Sequence, residues 1–163
     1  MTLLAEKHAT RSPEVQAYLD ALAEGQGPHA YASLLGLRTY DTAGLHRRVK
    51  EGLSFAALER LRRAMDLPAH MVAAVLHIPL RTLQRRKEDG RLRPDESDRL
   101  VRLARLFGEA LRLFEGDAAS ARAWLESPLA ALGRSTPLDL AQTEPGAGEV
   151  ETLIGRLEHG VFA

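Results

Sequence analysis

Residues 69–88 read AHMVAAVLHIPLRTLQRRKE, two short apolar-patterned helices, Pro68 to Leu76 and Pro79 to Lys87, with a turn between them. Helices that cross steeply need a small residue at the contact, and Ala73 supplies it. The turn falls four residues later at His77, with Ile78 behind it. Leu83 points inward from the second helix, and Val72 and Leu76 complete a small core. This is the spacing of a helix-turn-helix. It predicts that Arg81, Thr82, Gln84 and Arg85 project from the N-terminal part of the second helix, which enters the major groove in this motif. Arg suits guanine O6 and N7, and Gln suits adenine N6 and N7. Arg86, Lys87, Arg91 and Arg93 follow as expected phosphate contacts, which set register and affinity. His77 stands where Gly is usual, because a left-handed backbone is common there. Pro79 replaces a capping hydroxyl or amide, although Pro suits a first helical turn. The same spacing also fits a solvated, Arg-rich helix hairpin inside an all-α protein.

Charge separates these two readings. The chain has 22 bases and 22 acids in 163 residues, so its net charge is zero. The total hides a segregation. Residues 38–93 hold thirteen bases and six acids, while residues 94–163 hold seven bases and twelve acids. A basic middle suits phosphates and an acidic end is repelled by them, which points to two different partners. The excess around the motif favours DNA.

Outward from the motif, helical spacing continues and strand patterning is nearly absent. The fold class is all-α. Ser12 and Pro13 open a helix over 13–23, which Gly25-Gln26-Gly27-Pro28 ends. A turn of helix follows at 31–37, then a helix at 43–51 stopped by Gly52. Ser54 caps a helix reaching Met65, with Phe55, Leu58, Leu61 and Met65 inward. Pro94 opens the longest helix, to about Phe114, and Asp95, Glu96 and Asp98 sit in its favoured acidic first turn. Leu100, Leu103, Phe107, Ala110 and Phe114 form one stripe on it, and Val101, Leu106 and Leu113 another. A helix with two apolar stripes is a spine buried on two sides. Asp117 caps a helix carrying Ala121, Trp124 and Leu125. Thr136-Pro137 begins a brief turn of helix. The last helix places Val150, Leu153, Ile154 and Leu157 at helical spacing and ends at Gly160. This divides the chain into an extension (1–30), a helix-turn-helix and dimerisation domain (31–115) and a small C-terminal helical domain (116–163). Trp124 reads as a core anchor, with a direct interface role as the alternative.

Several function classes fall away. No cysteine is present, which removes disulfides, thiolate metal sites and cysteine nucleophiles. Six histidines occur without the spacing of a zinc helix, and Gly146-Ala147-Gly148 lacks the Lys of a phosphate loop. Carboxylates are scattered without an acid–base pair. No enzyme, cofactor or metal is expected. No apolar run is long enough to span a membrane, and Glu6 and Lys7 interrupt any signal-peptide core. The cytoplasm is the expected compartment.

The run Arg81-Thr82-Leu83-Gln84-Arg85-Arg86, then Gly90-Arg91-Leu92 and Glu96-Ser97-Asp98-Arg99-Leu100, resembles the antitoxins of the Xre/MbcA/ParS family. So do Ala123-Trp124-Leu125, Leu132-Gly133, Thr136-Pro137-Leu138, Thr143, Gly146, Val150, Leu153 and Arg156-Leu157-Glu158-His159-Gly160-Val161-Phe162. Leu34-Leu35-Gly36 and Glu51-Gly52-Leu53-Ser54 extend the likeness upstream, over roughly residues 32 to 162. The resemblance implies a homodimer that binds operator DNA and represses its own operon. It implies a C-terminal part that binds a RES-type toxin, an NAD-degrading enzyme, and covers its active site. Arg156, His159, Gly160, Val161 and Phe162 are then the expected toxin contacts, with the apolar pair at the end of the chain entering the partner. The rival reading is a plain helix-turn-helix regulator with a C-terminal ligand-binding or self-association domain.

Overall fold

The structure, a computed structural model, describes residues 11–160. Val161 and Phe162, expected to contact the toxin, lie outside the described residues. Those described form nine α-helices and two short 3-10 helices, with no β-strand among them. Helix α1 (Pro13–Ala23) starts on Ser12, whose Oγ accepts the N–H of Val15. A 3-10 helix (Ala30–Leu35) follows, then α2 (Thr42–Glu51) and α3 (Phe55–Met65). The motif is α4 (Ala69–Val75) and α5 (Leu80–Asp89), and the spine is α6 (Pro94–Leu113). Helix α7 (Ala118–Leu125), a 3-10 turn (Ala130–Leu132), α8 (Pro137–Leu140) and α9 (Glu144–Glu158) complete the chain. Side chains at Ser54, Asp117, Thr136 and Thr143 cap the helices that follow them. Each such cap is worth about 1 kcal/mol.

The two stripes of α6 are buried along most of their length: Leu100, Leu103, Leu106, Phe107 and Ala110 are sealed from water, and Leu113 and Phe114 at the end are half-buried. The N-terminal elements cover one side. Val15 and Tyr18 of α1 are in the core, and the Tyr18 hydroxyl donates to the Gly108 carbonyl at 2.9 Å. Burial pushes the Tyr18 hydroxyl pKa up to about 12. Helix α9 covers another side through Ala147, Val150 and Ile154. Residues 13–30, an extension by sequence, therefore share the core of the spine.

A short antiparallel pairing ties the end of α5 to the start of α3. Leu92 N–H donates to the Leu53 carbonyl at 2.8 Å, and Phe55 N–H to the Gly90 carbonyl at 2.9 Å. Gly52 makes this approach possible. Its φ is 85°, and a Cβ there would stand 2.3 Å from the Leu92 carbonyl oxygen.

Candidate nucleic-acid and protein interface

The helix pair is built as its spacing demands. Val72, Ala73, Leu76, Ile78 and Leu83 are buried between α4 and the rest of the core. The turn is left-handed at His77, with φ 53°. A non-glycine residue is uncommon in that region, and here its ring is used. His77 Nε2 lies 3.0 Å from the Gln142 carbonyl oxygen, across 65 residues of chain. A carbonyl only accepts, so Nε2 carries the hydrogen. Pro79 is the residue before α5 rather than its first turn. No side chain caps the helix, and the Pro79 carbonyl accepts the first helical bond, from Leu83 N–H at 2.9 Å.

Arg81, Gln84 and Arg85 are exposed and Thr82 is half-buried, all within the first six residues of α5. Lys87 and Arg93 are also exposed. Arg91 is exposed, yet its Nη1 donates to the Gly52 carbonyl at 2.8 Å and the Glu51 carbonyl at 3.1 Å. This holds its head against the end of α2.

Arg86 departs from expectation. It is only 6% exposed and turned inward. Its Nε donates to Glu96 Oε1 at 2.6 Å and Oε2 at 3.1 Å, and Glu96 is buried with it. Glu96 Oε1 also accepts the Arg93 N–H at 3.0 Å, at the start of α6. Arg86 therefore joins the motif to the spine and has no outward face for a phosphate. Its sequence neighbours are cations, Asp89 one turn on approaches only to 3.8 Å and is exposed, and its close partner lies across the loop, so the run alone reads as solvated. Leu80, a large apolar residue, is exposed at the start of α5. Spacing groups it with Leu83, and only the placement of α5 leaves it outside.

At the other end, Arg156, His159 and Gly160 are exposed at the close of α9. His159 Nδ1 donates back to the Gly155 carbonyl at 2.6 Å, and Gly160 turns left-handed at φ 67°. Trp124 is half-buried, with its ring 6.4 Å from that of Phe114 at a tilt of 56°. Between the two ends runs a set of charged ties. Arg102, buried on α6, donates to the Ala141 and Gln142 carbonyls and pairs with Glu144 at 3.1 Å. Arg105 pairs with Glu144 and Glu151, and Arg122 on α7 with Asp66 at the end of α3. Among the described residues no cluster of His, Asp or Glu could hold a metal ion, and no helix is long and apolar enough to cross a membrane.

Comparison with known proteins assigns a role to each end. Residues 44–105 match the antitoxin Xre-like helix-turn-helix domain, and residues 109–160 match the antitoxin Xre/MbcA/ParS C-terminal toxin-binding domain. An Antitoxin Xre of Yersinia enterocolitica is 40% identical over 116 residues, 71% of this chain and 78% of that one. An Antitoxin Xre of Photorhabdus laumondii is 33% identical over 120 residues, 73% and 81% of the two chains. A Prs ADP-ribosylating antitoxin of a Sphingobium species is 26% identical over 152 residues, 86% and 94% of the two chains. A DNA-binding helix-turn-helix joined through one core to a toxin-binding domain, with relatives at this level of identity, places the chain in the Xre/MbcA/ParS family of antitoxins.

Proposed function

We propose that this antitoxin neutralises a RES-type toxin that degrades NAD by covering its active site, and that as a homodimer it binds operator DNA and represses its own operon. The observation that carries the reading is the toxin-binding domain at residues 109–160, directly behind the helix-turn-helix. The exposed end of α9, with Arg156 and His159, supports occlusion. A guanidinium there suits the phosphate-binding space of a dinucleotide pocket. A homodimer would present paired recognition helices, which match a palindromic operator. In this reading the antitoxin contributes no catalytic group and works in the cytoplasm, beside its operon.

The test is co-expression with the product of the neighbouring reading frame. The full chain is expected to preserve growth and cellular NAD. A chain lacking residues 160–163 is expected to lose protection while still binding DNA. Full protection by the shortened chain would overturn occlusion by the tail. A second reading concerns the toxin's chemistry. The Sphingobium relative's name refers to ADP-ribosylation, a reaction whose ADP-ribose comes from NAD. NAD labelled in its ADP-ribose half distinguishes the two, because transfer leaves the label on a protein and releases nicotinamide, whereas degradation releases the label to solution.

A further inference from the structure

Leu80 is 58% exposed, the one large apolar side chain standing in solvent among the described residues. Scattered exposed leucines are ordinary, so exposure alone says nothing. The setting does. Leu80 opens α5, beside exposed Arg81 and one turn before exposed Gln84. Residues four apart share a helix face, so Leu80 and Gln84 form one row and Arg81 and Arg85 the next. No acid occurs from Leu80 to Lys87. An apolar protein partner covering Leu80 would desolvate Arg81 and Arg85 and leave their donors unpaired, which is costly, and Gln84 has only a long contact of 3.5 Å to the exposed Glu88 carboxylate. The surface suits a partner that offers hydrogen-bond acceptors and a methyl group at the same depth. In the major groove an A·T pair does so, with adenine N7, thymine O4 and the thymine C5-methyl on one edge.

We propose that Leu80 reads a thymine methyl group next to an adenine engaged by Gln84. The operator then requires thymine, rather than any other pyrimidine, at that position. The contact is dispersion plus exclusion of water. It rests on the reading of α5 as the DNA-reading helix.

The test replaces each thymine in turn by deoxyuridine, which deletes the methyl and keeps the base pair. The probe is a fluorescein-labelled duplex of the region upstream of the protein's own reading frame. At one position per half-site, uridine is expected to weaken wild-type binding about fourfold, the ratio for burying one methyl group. Leu80→Ala is expected to bind the native duplex at least about fourfold more weakly and to be indifferent to uridine there. A uridine penalty that persists unchanged in Leu80→Ala overturns the proposal. So does a wild-type chain that binds specifically and ignores uridine everywhere. Leu80→Ala that changes oligomer size and leaves uridine sensitivity intact assigns the side chain to a protein contact, and the proposal fails. Absence of specific binding to the unmodified duplex refutes the DNA reading itself, a separate result seen first.

Discussion

A buried ion pair is more costly to break than to replace, and Arg86–Glu96 is such a pair. Glu96→Ala leaves a guanidinium sealed from water, and the expected loss is about 3–5 kcal/mol in urea unfolding. Arg86→Met with Glu96→Leu is expected to recover most of that, because neither charge is then stranded. A loss under about 1 kcal/mol for Glu96→Ala would mean that water reaches the pair. The exposed cations behave differently. Arg81→Ala is expected to cost about 1–3 kcal/mol at the operator and to relax specificity at one base position. Lys87→Ala should weaken all sequences evenly and reduce the salt slope by about 1. Binding measured over a salt series separates them, and identical slopes for both variants and wild type would refute the division. Arg81, Arg85 and Lys87 were legible as an outward set from helical spacing. Arg86 was not, because its partner lies ten residues on, beyond a loop.

At the scale of elements, α6 and α9 meet through charged groups that do not balance. Glu109 lies half-buried on α6, and its pKa is raised from 4.5 to about 7. Burial is the main cause and Glu151 adds to it, Arg105 opposes it, and Glu158 and Arg112 act more weakly in opposite senses. Between those two values the folded chain holds a proton that the unfolded chain has released. Glu109 therefore favours the folded state most below pH 4.5, and that contribution falls as pH rises to about 7. Glu109→Gln should flatten the dependence and raise Tm at about pH 8 relative to wild type. Melting curves across this range test it, and parallel curves for the two proteins would refute it. The helices themselves were readable from caps and stripes. Their mutual ties were not. Nothing in a sequence announces that the His77 ring spans 65 residues to a backbone carbonyl, because acceptors of that kind occur at every residue.

For the whole molecule, charge and packing pull against simple modularity. The basic middle and acidic end suggest two separable parts, but α9 and α7 cover faces of α6 and α3. A chain ending at Gly116 uncovers the α6 face beneath Ala147, Val150 and Ile154 and strips Arg102 and Arg105 of their partners. It is expected to melt at lower temperature than the full chain, to aggregate on warming, and to bind DNA only where it remains folded. Circular dichroism and sedimentation check this, and an unchanged Tm would show that residues 1–116 fold alone. The split in charge was visible in the residue count. So was the shared core, because a helix with two apolar stripes has to be covered on both sides; the particular residues that cover each side were not.

The ties between the two parts have an asymmetry with an evolutionary consequence. His77 and Arg102 donate from the helix-turn-helix side, and the acceptors opposite include the backbone oxygens of Ala141 and Gln142. A side-chain donor is lost by one mutation, whereas a carbonyl survives every substitution at its position. The C-terminal domain can therefore drift at 142, or be exchanged for a relative's, without severing these bonds, while Ala141, buried in the core, is held to a small side chain by packing. Only a change in loop length would move the oxygens away. Recombination between antitoxin lineages should tolerate new residues at 142 and select against insertions and deletions in this joint.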